Sequence, residues 1–557
     1  MFRRLLGLIW GLIWALSVQA QANFTIFTDT VSAFPNLAAL QSFALAQHNG
    51  LWLLVSGRTD GLHHPLPFAA FKPDQANANL WVVDPKNWQV WSSDLSSLST
   101  DIAEQLQSTN AQFVQRGNYL YLVGGYGYST SAEKFVSYPY LTAIDVANII
   151  PAIKDQTANL APFFRQTPPD TLMAVCGGQM GIINNVFYLV GGHRFDGRYT
   201  HSKAGQGSVF FQTYTNAVRR FTIDDDGINL TITYDTPWTD ELHLHRRDFN
   251  LVPQIFPDGS SGFTLFSGVF QPQKIGDQEH VNMPYLYPVD ITANAYTPQP
   301  GFNQYLSQYH SAKIALFDSV ANQMHTLFFG GMSQFEFNTD NELTQNDSVP
   351  FVKTISQITR AANGELTELN LPITMPGLLG TNAEFIPAPN IENALDQQGI
   401  IQIHKLTADT VLLGYIIGGI TSPKRNPFLL FATEETAASA QVHRVYMHKM
   451  PYTGGVQPLP ATTTNRANVM TLMALPNQLP KGSLQPVKVQ TNLPEAGYIS
   501  FVWQNELGQI VRIDKQGERP AGLHDFLLDA KNLASGKYVL SVTCKGKYWA
   551  SGKIIIW

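Results

Sequence analysis

The side chains that could do chemistry in this chain lie in short segments between apolar runs. Arginine, histidine, acidic and aromatic residues recur in RTDGLHH (58–64), YGY (126–128), HRFDGR (193–198), HLHRRD (243–248) and QYH (308–310). Aromatic rings pack on the apolar face of a ligand, arginine forks bind carboxylates, and neutral polar groups bind hydroxyls. These residue types suit a neutral or acidic sugar. We predict ligand-binding roles for Arg58, Asp60, His63, Tyr126, His193, Arg194, Arg247, Asp248, His310 and Asn382.

A purely structural role competes with this interpretation at two of the arginines. Asp60 follows Arg58 by two positions, and Asp196 follows Arg194 in the same way. Loop arginine and aspartate residues commonly pair to fix a turn, which would leave neither side chain for a ligand.

The sequence contains no diagnostic set of metal ligands or catalytic residues. His243 and His245 would point the same way in an extended segment and could bind zinc or copper with a third histidine. No carboxylate or cysteine stands at a matching spacing, so we predict no metal and no cofactor. The chain also lacks a G-x-S-x-G elbow, a P-loop and an H-E-x-x-H motif. Three adjacent aspartates at 224–226 are expected to form a hairpin tip.

Charge and cysteine content exclude further classes of function. A net charge of −6 gives no basic surface for nucleic acid or for an anionic membrane. The two cysteines, Cys176 and Cys544, lie far apart and provide no disulfide framework.

The first twenty residues predict export. MFRRLLGLIWGLIWALSVQA has two arginines, an apolar run and small residues before Gln21, the three-part form of a signal peptide. The apolar run is shorter than the ~20 residues that cross a bilayer, so we expect no stable membrane span. We therefore predict a signal peptide over 1–20 and a protein that is secreted or held on the outer cell surface after passing through the periplasm.

The elements that must position these loops are repeated strands. Six apolar runs end in glycine: LWLLVSG (51–57), YLYLVGG (119–125), FYLVGG (187–192), FTLFSG (263–268), TLFFGG (326–331) and YIIGG (415–419). A companion strand precedes each run, at 42–47, 110–115, 179–183, 248–253, 311–316 and 382–387. Two further strands follow in the first unit (79–84, 89–94) and in the third (217–224, 229–235). Four strands per unit in six units, with almost no amphipathic helix, predict an all-β protein built as a six-bladed β-propeller.

The glycine pairs of VGGYG (123–127) and VGGHR (190–194) resemble those of the kelch family, whose blades carry Gly-Gly at the end of the second strand. The resemblance covers about residues 23–450 and implies a six-bladed kelch-like propeller over 21–450. Ser56 and Ser267 depart from it, since each replaces the first glycine of its pair.

Two further inferences concern how such a propeller is organised. FTIFTDT (24–30) is similar to LTITYDT (230–236), which predicts that the N-terminal segment supplies the outer strand of the sixth blade. The long segments 58–78, 193–216, 269–284, 332–350 and 420–440 are expected on one face, and 388–410 on the other. We predict the binding site on this long-loop face, because function in repeat folds usually sits on elaborated loops.

The chain changes character after the repeats. Residues 451–483 are predicted to form a linker, and the short alternating strands of 484–557 a small C-terminal β-sandwich domain. NLASGKYVLSVTCKGKYWASGKIIIW (532–557) resembles the C-terminal sorting domain of the bacterial type IX secretion system, through Leu533, Ser535, Gly536, Tyr538 and Gly546. This resemblance implies an export machinery as one partner. An accessory immunoglobulin-like module is the alternative.

Two functions are compatible with these features. The first is an exported binding protein that recognises a glycan or a protein. The alternative is a carbohydrate-active enzyme, such as a sugar mutarotase or a copper oxidase, on the same propeller. The missing catalytic motifs favour binding, although fold analogy cannot decide between the two.

Overall fold

The computed structural model describes residues 24–556 except 32–33, 64–69, 200–209, 273, 276–277, 280–282, 338–342, 427–435, 450–470, 476–477, 484–485, 494–495, 506–509 and 545–547. The predicted signal peptide at 1–20 lies outside the described residues, as does most of the predicted linker.

The first three predicted units each form an antiparallel sheet whose strands pair in chain order. Sheet 1 contains Ala44–His48, Leu51–Val55, Asn79–Asp84 and Gln89–Asp94. Sheet 2 contains Gln112–Arg116, Tyr119–Val123, Leu141–Asp145 and Phe164–Gln166. Sheet 3 contains Gln179–Ile183, Val186–Val190, Ala217–Asp225 and Leu230–Tyr234, with the short Trp238–Thr239 beside its third strand. The second strand of each sheet is almost entirely buried, as its continuous apolar run predicts.

Three more sheets follow the same plan. Sheet 4 contains Asn250–Ile255, Ser261–Phe266, Val289–Ile291 and Tyr296–Pro298. Sheet 5 contains Ala312–Asp318, Gln323–Phe329, Thr354–Arg360 and Leu366–Thr374. Sheet 6 contains Leu378–Pro387, Thr410–Ser422, Val442–Lys449 and Phe24–Thr30, with Ala437–Ala438 beside its second strand. The all-β part of the predicted fold class is therefore confirmed.

Sheet 6 joins the two ends of the repeat region. Phe24–Thr30 runs antiparallel to Val442–Lys449, with Phe24 opposite Lys449 and Thr30 opposite His443. Phe24 and Ile26 are buried against the cores of sheets 5 and 6. The prediction that the N-terminal segment supplies an outer strand is confirmed.

Backbone hydrogen bonds link one sheet to the next where the second strand ends. In five sheets the second residue of the glycine pair donates its amide to a carbonyl at the start of the following sheet. The bonds are Gly57 to Ser108, Gly125 to Val175, Gly192 to Arg246, Gly331 to Leu379 and Gly419 to Leu40. The last of these connects sheet 6 to sheet 1, so the bonds follow a cyclic order. From sheet 4 to sheet 5, the Ser267 hydroxyl donates to the Ser307 carbonyl instead.

The first residue of each pair explains the preference for glycine. Its φ lies between 54° and 67° in all six sheets, including Ser56 and Ser267. At Gly418 a Cβ would stand 2.6 Å from the Leu40 carbonyl oxygen and 2.5 Å from the Phe43 ring. The left-handed backbone and the close approach of the next sheet therefore both select glycine.

The residues before or at the start of the first strands form a second set of links, which we call the channel ring. Its members are Ser42, Asn110, Gly177, Asp248, His310 and Asn382, all with φ between 46° and 67°. Five backbone bonds join them: Asn110 to Ser42, Gly177 to Asn110, Asp248 to Gly177, Asn382 to His310 and Ser42 to Asn382. Residues at the starts of all six first strands border one space, which we call the channel.

A segment of sheet 6 crosses the far end of this channel, opposite the channel ring. It contains the 3₁₀ turns Pro389–Ala394 and Ile403–Lys405 and the short strand Ile401–Gln402. It contacts the Gly50 turn of sheet 1, donates a hydrogen bond from Gln398 to the Ile182 carbonyl of sheet 3, and pairs with Leu316–Phe317 of sheet 5. The prediction that 388–410 lies opposite the long-loop face is confirmed.

Helices and hairpins occupy the connections between strands. The helices are Thr100–Leu106 and Val146–Lys154, and further 3₁₀ turns are Pro73–Gln75, Ala161–Phe163 and Thr171–Met173. Two-stranded ribbons are Tyr126–Ser129 with Lys134–Ser137, His193–Gly197 with Phe210–Tyr214, Lys274–Ile275 with Gln278–Glu279, and Phe335–Phe337 with Leu343–Gln345. Among the described residues, no helix combines the length and hydropathy needed to cross a membrane.

The C-terminal region has its own buried core between two sheets. One sheet contains Thr471–Leu475, Val487–Leu493 and Gly522–Leu528. The other contains Gln478–Leu479, Gly497–Gln504, Ile510–Arg519, Gly536–Cys544 and Tyr548–Ile556. The predicted boundary at 484 is therefore too late, because Thr471–Leu475 already pairs with Val487–Leu493. The Pro- and Gly-rich composition around these short strands predicted a linker in their place.

The close approach at the glycine pair gives a stability prediction. We expect Gly418→Ala to destabilise the protein by about 1–3 kcal/mol more than Gly117→Ala, since overpacking adds to the cost of the backbone conformation. Gly117 is a matched control because its φ of 58° is similar and a Cβ there meets nothing within 4 Å. Equal losses in equilibrium urea unfolding would contradict the role of the inter-sheet contact.

Candidate functional site

Three sequence-predicted residues, Asp248, His310 and Asn382, belong to the channel ring. They come from sheets 4, 5 and 6, far apart along the chain. The ring also differs at one junction: Asp248 and His310 face each other with their side chains, with 3.8 Å between His310 Nδ1 and Asp248 Oδ1. Sheets 4 and 5 are the same pair that Ser267 links through its side chain.

Charged groups gather at this junction in what we call the mouth cluster: His193, Arg247, Asp248 and His310. Arg247 Nε lies 3.5 Å from Asp248 Oδ2, and Arg247 NH1 lies 3.1 Å from His193 Nδ1. The side chains of Arg247, Asp248 and His310 are 15%, 28% and 12% exposed. Arg247 Nε and His310 Nδ1 are buried and make no hydrogen bond to a described residue. The cluster therefore keeps unused hydrogen-bonding capacity.

Aromatic rings surround Arg247. Its guanidinium lies 5.1 Å from the ring centre of Phe270 and 5.9 Å from that of Tyr214. Tyr214 stacks on His245 with 3.8 Å between ring centres. Such rings hold the guanidinium in place without neutralising it, because a cation–π contact adds no charge.

The surroundings of the mouth cluster favour a charged Asp248 and a neutral His193. Burial alone would raise the pKa of Asp248, but the nearby His310 ring and the Arg247 charge outweigh it and lower that pKa. Burial, together with the Arg247 charge, holds the pKa of His193 well below its usual range, so its ring stays neutral. Burial raises the pKa of the neighbouring Cys176 to about 12, which keeps it a thiol. At neutral pH the cluster presents the Arg247 guanidinium, the Asp248 carboxylate and the neutral imidazole of His193.

His193 and Arg194 are not part of one site. In the ribbon of His193–Gly197 with Phe210–Tyr214, residue pairs directly opposite each other share a face. His193 and its partner Tyr214 face Arg247, whereas Arg194 has a 49% exposed side chain and pairs with Asp196 at 2.6 Å. Adjacent residues of a strand point to opposite faces, so the structure does not bring the sequence-predicted Arg194 into the cluster.

Residues of the first two units form a neighbouring group. Arg58 binds Asp60 through two hydrogen bonds of 2.7 and 2.6 Å and donates a third to the Lys72 carbonyl. The structural interpretation of this pair therefore holds. His63 packs against Phe71 and against Tyr199, whose ring centre lies 4.2 Å from that of His63.

The other two predicted residues also make structural contacts. The buried Tyr126 hydroxyl donates to the Gly197 carbonyl at 2.8 Å. Asn382 donates from its amide to Gln41 Oε1 at 3.2 Å, beside its backbone bonds in the channel ring. Both residues position loops near the mouth, with no side-chain contact to Arg247.

Sequence reasoning missed the aromatic members of the site. Tyr214 and Phe270 lie in segments that carry no motif, and Tyr199 follows the flagged HRFDGR segment without standing out. Strand pairing would have found Tyr214, which lies directly opposite His193. No local signal identifies Phe270, because its position depends on how the sheets are joined.

The candidate metal ligands are dispersed. The segment around His243 and His245 forms a turn instead of a strand. His243 Nδ1 bonds the Tyr287 hydroxyl and His245 Nδ1 bonds Asn216 Oδ1, both at 2.8 Å. Within the described part of the chain, no group of three or more His, Cys, Asp or Glu side chains is arranged to hold a metal ion.

Comparison with known proteins gives no identification. No family model matches the chain, and no curated protein matches it. The structure of YjhT is 12% identical with a TM-score of 0.39, over 73% of this chain and 96% of that chain. The structure of PorZ, an essential bacterial surface component of the type-IX secretion system of Porphyromonas gingivalis, is 10% identical with a TM-score of 0.16, over 93% of this chain and 75% of that chain. At these TM-scores neither likeness carries an argument about fold or function.

The two aspartate–arginine pairs near the mouth give a matched test. We expect Asp248→Asn to cost about 1–3 kcal/mol, because it leaves a buried guanidinium without its carboxylate. Asparagine suits the φ of 51° at this position, so the change isolates the charge. Asp196→Asn, in the half-exposed pair with Arg194, should cost about 0–1 kcal/mol. Equal losses in urea unfolding would show that the mouth cluster holds no strongly coupled charges.

Proposed function

We propose that this chain is an exported binding protein, built as a closed six-bladed kelch-like β-propeller, that recognises a glycan or a protein at the mouth cluster. The cyclic order of the inter-sheet bonds and the pairing of Phe24–Thr30 with Val442–Lys449 support the propeller. The long-loop face carries the site, because the far end of the channel is crossed by the 389–406 segment.

The observation that carries the proposal is the incompletely bonded charge at the mouth. Arg247 and His310 are largely buried, yet each has a ring or guanidinium nitrogen without a hydrogen bond to a described residue. Buried polar groups with unmet hydrogen bonds reduce stability, and such costs are typical of functional sites. A ligand hydroxyl or carboxylate would satisfy these donors.

Among possible ligands, a glycan fits this chemistry best. Phe270 and Tyr214 offer apolar ring faces beside Arg247, which matches the alternation of C–H and hydroxyl surface on a sugar. The Asp248 carboxylate accepts hydroxyl protons, and the Arg247 fork donates to hydroxyl or carboxylate oxygens.

The C-terminal two-sheet domain is proposed to direct export. Of the residues that resemble a type IX sorting domain, Gly536 and Tyr538 lie in the strand Gly536–Cys544, and Leu533 and Ser535 come just before it. Its separate core supports a domain that can act independently of the mouth cluster.

The binding proposal can be tested on a glycan array with the mature protein. We expect wild type to bind, and Arg247→Lys and Arg247→Gln to lose about tenfold or more in affinity, the usual effect of losing one charged hydrogen bond. Arg194→Gln is the matched control, since its side chain lies on the opposite face of the ribbon. Binding that depends on Arg194 but not on Arg247 would contradict the proposed site. An array without signal, together with capture of a protein ligand that requires Arg247, would replace the glycan with a protein.

The export proposal needs a separate test in the producing bacterium. We expect deletion of 471–557 to leave a folded propeller in the periplasm, because the sorting signal is removed while the six repeat sheets stay intact. Cell fractionation with immunodetection would measure this outcome. Truncated protein at the cell surface or in the medium would contradict it.

A further inference from the structure

The channel behind the mouth cluster contains a cavity that the proposed function does not use. Its volume is about 200 Å³, and all six sheets contribute to its wall. This volume is below the ~300–1,000 Å³ of pockets for drug-sized ligands, so the cavity can hold one small molecule or one monomer of a larger ligand. His310 lines both this cavity and the mouth cluster, so the two spaces are adjacent.

One side of the cavity is charged. Lys313 Nζ of sheet 5 and Glu384 Oε2 of sheet 6 lie 3.9 Å apart, too far for a direct hydrogen bond. Lys313 follows the channel ring by three residues, which places it roughly 10 Å along the strand from the mouth. The opposite charges cancel, so a ligand with a net charge would leave one of them unmatched.

The facing side of the cavity is apolar. The cyclic order of the sheets puts sheet 2 across from sheet 5, and sheet 3 across from sheet 6. Phe113 of sheet 2 and Met180 of sheet 3 line the cavity there. A ligand with one apolar face and a hydroxylated edge would match both sides.

Near the mouth, two residues that line the cavity have buried amide oxygens without donors. Gln112 is 1% exposed, and its Oε1 makes no hydrogen bond to a described residue. The Oδ1 atom of Asn110 also makes no such hydrogen bond. Both residues line the cavity. Carbonyl oxygens of amides accept hydrogen bonds, so they require a group that donates, such as a hydroxyl.

A segment of sheet 6 crosses the end of the channel opposite the mouth. The 389–406 segment touches sheets 1, 3 and 5 at the far ends of their first strands. A polymer can therefore enter from the mouth only with its end first.

We propose that this cavity binds one uncharged sugar unit, the terminal unit of a glycan held at the mouth, with Lys313 and Glu384 bonding its hydroxyls. The proposal rests on the proposed glycan-binding function, because the same glycan occupies both spaces. It specifies recognition of a chain end: glycans that carry the unit only at internal positions do not bind.

The test uses free sugars, which occupy the cavity without needing the mouth. Glucose, galactose, mannose and N-acetylglucosamine are titrated separately into the mature protein by calorimetry, with glycine as a zwitterionic probe. We expect at least one sugar to bind, and Glu384→Gln and Lys313→Met each to weaken it about tenfold. Asp29→Asn is the matched control, since it removes a carboxylate from sheet 6 outside the channel. The bound sugar should also displace the array glycan from wild-type protein, which keeps the test decisive if a variant fails to fold.

The outcomes separate this inference from the proposed function. The channel site alone would be overturned if the glycan array shows binding that requires Arg247 but none of the four free sugars binds. The same conclusion follows if a free sugar binds the Glu384→Gln variant as tightly as wild type. Binding of glycine in place of the sugars would overturn the assigned ligand class. A free sugar that binds through Glu384 while the array shows nothing would support the cavity and overturn the glycan site at the mouth.

Discussion

Where the second strand of a repeat sheet ends, the backbone turns left-handed and donates an amide to the start of the next sheet. In five of the six sheets this hydrogen bond holds neighbouring sheets close together, and where the first residue of the pair is glycine, a side chain there would have almost no space. Ser56 and Ser267 retain the same backbone conformation without glycine, so the geometry is a property of the fold and not of one residue type. The channel, the ring around its mouth and the position of the loops all depend on this repeated contact.

The seam between sheets 4 and 5 departs from that pattern. There, side chains replace both backbone links: Ser267 reaches the Ser307 carbonyl, and Asp248 faces His310. Arg247, next to Asp248 in the chain, lies between two aromatic rings, Tyr214 of the sheet 3 ribbon and Phe270. The repeated backbone bonds hold the other sheets rigidly together. The junction between sheets 4 and 5 instead uses side chains, so polar groups are available there. Function on such a scaffold requires both properties.

The repeated strands could be predicted from the sequence, whereas contacts between residues far apart in the chain could not. The glycine-ended strands and the outer strand Phe24–Thr30 were predicted because each repeats a recognisable pattern. The grouping of His193 with Arg194 failed because the two were taken as one loop segment, whereas they alternate along a ribbon. Phe270 could not be found, since its neighbour Arg247 contacts it only after the sheets are joined. The C-terminal boundary was misplaced because the Pro- and Gly-rich composition around the short strands Thr471–Leu475 and Gln478–Leu479 predicted a linker there.

We propose that the six repeat sheets close on themselves, which brings distant loops to one mouth. Hydrogen exchange at the Gly419 amide tests it most directly, because this amide bonds Leu40 across the point where the two ends of the repeat region meet. We predict that the Gly419 amide exchanges as slowly as those of Gly125 and Gly192, which make the same bond between other sheets, and that all three exchange through global unfolding. Exchange at Gly419 as fast as at Gly117, an open turn, would show that sheets 6 and 1 are not joined and that the mouth cluster has no closed scaffold.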